Sequence, residues 1–190
     1  MILSTTKTIT IAAGMLACFA ASTQLTAASP ATSSTVTYTA TGTFAGTATS
    51  GSDIFKLAGQ TFTINISAPE GLKPTKSGTG FAVYTKLKMT GTVQSGLVPT
   101  PITLSTNAAS IELGAGKNDV FALFAPVKVL GLQINITAKI TLPSGTIGTT
   151  AIGPLKAQAA YTATTSSATY SDTSAKTTLG VNGALSTAVK

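Results

Sequence analysis

The sequence predicts an all-β domain, an antiparallel β-sandwich with a β-barrel as the alternative. Apolar and hydroxyl residues alternate with period two along most of the chain. Gly and Pro clusters interrupt those runs at short intervals. Beyond residue 28 no segment sustains a helical stripe with caps. One-sided alternation describes sheets with a dry face and a wet face. Two such sheets packed together make a sandwich, and one closed on itself makes a barrel.

The first 28 of the 190 residues read as a signal peptide. Lys7 supplies a sparse positive start, and Ile9–Ala21 (ITIAAGMLACFAA) is an apolar run too short for a comfortable membrane span. Thr26, Ala27 and Ala28 form a cleavage site ahead of Ser29. The expected product is one secreted or periplasmic domain at 29–190, with no transmembrane span once the leader is gone. Such a chain buries roughly 70% of its unfolded surface. The single cysteine, Cys18, falls inside the leader, so the mature domain is cysteine-free and holds together by packing and strand pairing alone. Met15-Leu16-Ala17-Cys18 loosely matches a lipobox, which makes a lipoprotein anchored through Cys18 the alternative.

The strands follow in order. Val36, Tyr38, Ala40, Gly42 and Phe44 share one face, with Thr35, Thr37, Thr39, Thr41 and Thr43 on the other. Phe62, Ile64 and Ile66 alternate with Thr61, Thr63, Asn65 and Ser67. Phe81, Val83, Leu87 and Met89 alternate with Tyr84, Lys86, Lys88 and Thr90. Val120–Val127 (VFALFAPV) is apolar at nearly every position, which suggests burial on both faces. From Leu132 to Leu142 the apolar set has slipped by one residue relative to Val127 and Val129, and a β-bulge at Leu130–Gly131 would account for it. Residues 158–176 are rich in Ala, Thr and Ser and weakly patterned. Leu179, Val181, Leu185 and Val189 recover an alternation fit for a last strand. Gly51, Pro69–Pro74, Gly78–Gly80, Pro99–Pro101, Gly114–Gly116 and Pro143–Gly148 punctuate the runs as turns.

Two stretches nearly repeat: TINISA at 63–68 and QINITA at 133–138, each with an Asn-x-Ser/Thr triplet. Asp53-Ile54-Phe55-Lys56-Leu57 precedes the first and Asp119-Val120-Phe121-Ala122-Leu123 the second. A duplicated half-sheet would produce this, but so would ordinary strand grammar in a chain of few residue types. As plain strands, Ile64, Ile66, Ile134 and Ile136 point inward, and Asn65 and Asn135 point to solvent.

Composition excludes much chemistry. The chain has no His, no Arg and no Trp, so Ser-His-Asp and Cys-His catalysis and His-based metal sites are out of reach. Only Asp53, Glu70, Glu112, Asp119 and Asp172 carry carboxylates, each at or near a turn signal where acids usually just solvate a loop. Gly114-Ala115-Gly116-Lys117 lacks the upstream Gly of a phosphate loop, and no Asp-rich calcium loop occurs. No catalytic residue, cofactor or metal is expected. Without Lys7, eleven Lys face five acids, a balance that speaks to solubility and nonspecific attraction.

Lys73, Lys76, Lys86 and Lys88 lie close in sequence, with Tyr84 expected on the same strand face as the last two. Together they form a candidate platform for an anionic glycan. Lysines on an outer or edge strand also discourage edge-to-edge aggregation, and one Tyr without Arg suits nucleic acid poorly. The Thr-rich run 35–43 could order water, but ice binding needs Thr ranks on many strands, and Thr suits any half-exposed strand.

The run from TYTATGTFAG through DIFKLAGQTFTI and KLKMTGTVQSGLVPTPITL to ATYSD resembles uncharacterised exported all-β proteins of environmental Gram-negative bacteria. The resemblance implies export and a sandwich, and it assigns no catalytic residue. The expected function is a non-enzymatic structural or cell-surface-associated module, with a carbohydrate-binding module for anionic glycans as the alternative. Expected partners are the cell envelope or an anionic polysaccharide, not nucleic acid.

Overall fold

The computed structural model describes residues 34–172 and 175–190. The leader at 1–28, its cleavage site and Cys18 lie outside the described residues.

Among the described residues ten strands follow one another: β1 (Thr35–Ser50), β2 (Thr61–Pro69), β3 (Lys76–Gly78), β4 (Phe81–Ser95), β5 (Val98–Gly114), β6 (Asp119–Val129), β7 (Leu132–Leu142), β8 (Ala159–Tyr161), β9 (Ser167–Ser171) and β10 (Lys176–Val189). Each pairs antiparallel with its neighbours in the order β1-β2-β4-β5-β6-β7-β9-β10, and β10 pairs with β1. The sheet therefore closes into an eight-strand antiparallel β-barrel. The all-β expectation holds, but a single sheet closes on itself where two packed sheets were expected. The reason lies in strand length. The strands from β4 to β7 run 11 to 17 residues, and so many long, consecutively paired, twisted strands coil until the first meets the last.

The short strands extend this wall. β3 pairs with the first residues of β4, below the end of β2. β8 and β9 run the same way along β10, the first against Gly183–Leu185 and the second against Lys176–Gly180. They are one strand interrupted at 162–166. The interruption satisfies its own backbone: the Thr141 amide donates to Ser166 Oγ at 3.0 Å, and the Val181 amide to the Ser166 carbonyl at 3.2 Å.

Alternation maps onto inside and outside. Val36, Tyr38, Ala40, Phe44, Ile64, Ile66, Ile134 and Ile140 fill the interior, and Thr, Ser, Asn and Lys cover the wall. That is the reverse of a bilayer-spanning barrel, whose outward band is apolar. Among the described residues no helix is long and apolar enough to cross a membrane.

Two phase changes differ from the sequence reading. Leu130 and Gly131 both have positive φ, 50° and 84°, between paired Val129 and Leu132. That is the two-residue turn of a tight hairpin, not a bulge; the apolar set slips because the chain reverses. The bulge lies instead in β4. Lys86 has φ 60°, and the pairing with β5 shifts between Tyr84 and Leu87. Upstream of it Ala82 and Tyr84 point inward, and downstream Leu87, Met89 and Val93 do. Nor is Val120–Val127 buried on both faces, since Phe124 is 45% exposed. The two DxFxL stretches also differ: 53–57 lies in the β1–β2 loop, whereas 119–123 begins β6.

Ile134 is 3% exposed while its neighbour Asn135 faces solvent. Ile134→Asp buries an unpartnered charge at a cost of several kcal/mol, and Asn135→Asp costs on the order of 0.5 kcal/mol or less. Urea denaturation of the two variants should show the first nearly devoid of folded protein and the second close to wild type.

Candidate functional site

The two poles of the barrel are finished differently. At the lower pole, residues 143–158 cross the opening and bury Ile147 and Ile152. Three interior groups hold them. The Ile147 amide donates to Asp119 Oδ2 at 2.7 Å, the Tyr38 hydroxyl donates to the Gly153 carbonyl at 2.9 Å, and the Tyr84 hydroxyl to the Thr150 carbonyl at 2.7 Å. Asp119 also accepts from the Gly116 amide at 3.3 Å.

At the upper pole the β1–β2 loop folds inward on Phe55 and Leu57. Asp53 organises that loop, accepting from the Ala58 amide at 2.8 Å and the Tyr170 hydroxyl at 3.0 Å. The Phe55 and Tyr170 rings lie 5.2 Å apart at a tilt, and Ser95 Oγ donates to the Phe55 carbonyl at 2.7 Å. Asp172 accepts from the Ala175 amide at 2.7 Å in the β9–β10 turn. Three of the five acids thus shape loops rather than merely solvating them.

Of the residues proposed as a ligand platform, four are placed together and one is not. Lys73, Lys76, Lys86 and Lys88 are exposed on or beside β3 and β4, where the Thr75 and Thr85 hydroxyls meet at 2.9 Å. Tyr84 is 1% exposed and inside the barrel, because the bulge at Lys86 reverses the phase between them. The lysines therefore have no aromatic partner from that position, and Tyr84 serves the lower strap.

A different feature stands out in the upper half. β5 pairs with β6 only over Ser110–Gly114 against Val120–Phe124. Above that point the two strands part, β5 going with β4 and β6 with β7. Proline explains the split. Pro126 removes an amide donor from β6, while Pro99 and Pro101 remove two from β5. The Ala108 amide turns to its local Thr106 hydroxyl at 3.1 Å, and the β4–β5 register shifts there. Pro99–Pro101 was expected as a turn but lies within β5. The signal was Pro inside an alternating run, which marks an unpaired edge.

The parting leaves a cleft of about 290 Å³ lined by Val98, Thr100, Pro101, Thr103, Lys128 and Leu130, with Ile102 and Val129 at its base. Ile102 and Val129 also line an interior cavity of about 60 Å³, walled by Phe44, Phe62, Val93, Leu104, Ile134 and Leu179 among others. Its lining is almost entirely apolar, with Thr169 and Tyr170 the exceptions. Among the described residues every buried side-chain nitrogen or oxygen already has a hydrogen-bond partner, so the lumen offers no spare polar anchor. The same residues hold no group of three or more His, Cys, Asp or Glu close enough for a metal ion.

Compared with protein-family models, with curated proteins and with solved structures, the chain matches none.

All four tyrosines are interior, and burial is the leading cause that raises each phenol above its ordinary value. For Tyr170 the neighbouring Asp53 carboxylate adds to the rise, while bonds with Thr177 and Phe55 oppose it. The folded chain thus keeps protons that the unfolded chain releases near pH ~10. Their stabilisation is whole below that pH and is lost as the pH climbs through the higher folded values. In an alkaline titration, tyrosinate absorbance should rise together with loss of the near-ultraviolet dichroism of the fold. Tyrosinate appearing near its ordinary pH in a chain that stays folded would show the phenols to be exposed.

Proposed function

We propose that the chain is an exported, non-enzymatic, envelope- or surface-associated barrel that holds the alkyl end of a small amphipathic molecule. One observation carries the reading: the wall cleft and the apolar cavity lie on either side of the same two residues, Ile102 and Val129, which line both. A molecule lying along that line places its tail in the lumen and its head between β5 and β6. The lumen's almost entirely apolar lining selects for hydrocarbon, since burying a polar group there without a partner is costly. Its 60 Å³ falls well short of the ~150 Å³ cavity that holds a benzene ring, so a flat ring does not fit and an alkyl chain enters only by its last few carbons, with the rest in the cleft. Lys128 and the Thr100 and Thr103 hydroxyls in the cleft suit a carboxylate or phosphate head.

An anionic glycan reading rests on Lys73, Lys76, Lys86 and Lys88 alone, without the Tyr84 ring that would stack on a sugar. The lysines also serve as guards against edge pairing.

Titration with hexanoate and, separately, with benzoate, followed by methyl chemical shifts, tests the proposal. Hexanoate should move the Leu104, Val129 and Ile134 methyls, and benzoate should leave them in place. Ile102→Trp, which fills the junction from a half-exposed position, should weaken hexanoate binding by about tenfold or more while the fold survives. Equal responses to both acids, or none at those methyls, would refute the assignment.

A further inference from the structure

We infer that the upper pole of the barrel docks on an anionic lipid bilayer. Among the described residues six large apolar side chains are exposed, and four of them, Ile54 (39%), Leu97 (45%), Leu130 (60%) and Leu132 (48%), belong to this pole. They project from three connections that an up-and-down barrel places at one end: the β1–β2 loop, the β4–β5 turn and the β6–β7 turn. The Gly96 amide donates to the Lys56 carbonyl at 3.0 Å, joining the first two, and the cleft lined by Val98 and Leu130 lies between the second and the third. Single exposed leucines are ordinary on any surface, but four on adjoining tips at one pole make an apolar rim.

Charge selects the occupant. Lys56, Lys128 and Lys176 are exposed at the same end, while the two acids there, Asp53 and Asp172, are half-buried, which leaves a net charge of +1 with the cations outermost. The opposite end holds Glu70 and Glu112 but also exposed Lys73, Lys117 and Lys156, and what it lacks is the cluster of exposed apolar tips. Apolar tips ringed by Lys match the composition of surfaces that seat in the headgroup layer of anionic membranes. The shape points the same way. Separate prongs give a protein partner no flat face to cover, whereas a fluid bilayer conforms to each. Docking there would also set the β5–β6 cleft near the lipid, but the inference does not depend on the lumen being occupied.

The experiment uses the full chain with Cys18→Ser, which leaves it free of cysteine. One new cysteine, Leu97→Cys on the rim or Lys73→Cys at the other pole, carries a dye whose emission shifts to the blue in an apolar environment. Adding vesicles of phosphatidylcholine and phosphatidylglycerol should shift the dye at position 97 and leave the dye at 73 unchanged. A leader that bound lipid by itself would leave both positions in water. Pure phosphatidylcholine should give a smaller response at 97. Leu130→Asn, a residue suited to the tight turn at that position, should lower vesicle affinity by about tenfold or more while the barrel stays folded. Ile102→Trp should dock as wild type, which separates this inference from the ligand proposal. No shift at 97 with anionic vesicles, or equal shifts at 97 and 73, would overturn it. So would a blue shift at 97 that grows with protein concentration in the absence of lipid, since a second copy would then cover the rim.

Discussion

Everything in this barrel depends on the seam between its first and last strands. β1 and β10 pair from Val36↔Val189 through Phe44↔Val181, and without that ladder both would be open edges. Among the described residues no helix buttresses the sheet, and residues 29–190 contain no cysteine to staple it. The seam is also where the backbones come closest. Gly42 faces Gly183, and a Cβ on either would collide with the opposing backbone. Tyr161 lies across that bare stretch and donates its hydroxyl to the Thr41 carbonyl at 2.9 Å. The ring replaces the packing that the two glycines cannot supply.

Closure decides what the rest of the chain must do. A closed eight-strand wall has an interior about as wide as its own side chains, so it must be filled, plugged at the ends, or left with a small hollow. The lower pole is plugged by polar anchoring: Asp119, Tyr38 and Tyr84 reach the backbone of the strap at 143–158. The upper half is filled mainly by packing, including the tilted Phe44–Phe62 pair at 4.9 Å, with Asp53 and Ser95 bonding the loop above it, and it keeps the apolar hollow. Prolines in β5 and β6 loosen the wall beside that hollow. The two ends thus differ: a base closed by a strap bonded to interior side chains, and an upper end that keeps an apolar hollow and an apolar rim.

Much of this was legible from period-two alternation, which placed Ile64, Ile66 and Ile134 inside and Asn135 outside. The last strand, with Leu179, Val181 and Leu185 inward, was legible for the same reason. Alternation carries no information on whether a sheet closes, because the inner faces of a sandwich and of a barrel have the same period. It also fails wherever one residue adopts left-handed backbone. Lys86 does so in the middle of a strand, which moved Tyr84 from the expected lysine face into the core. Leu130 does so in a turn where Leu is an unusual choice. Asp119 resembled any loop acid, because its partners, the amides of Gly116 and Ile147, come from two separate connections. The site itself was hidden in Pro99, Pro101 and Pro126, which mark an unpaired edge when they fall inside strands and a turn when they do not.

Closure of the seam is most directly tested by nuclear Overhauser contacts between the α-protons and amides of β1 and β10. A barrel predicts direct cross-strand contacts joining Thr39 to Ser186 and Thr41 to Ala184, with amide protons in this stretch exchanging slowly. A pair of stacked sheets would leave β1 and β10 as separate edges. Absent contacts between those residues, with fast exchange along both strands, would contradict the closed barrel and everything built on it.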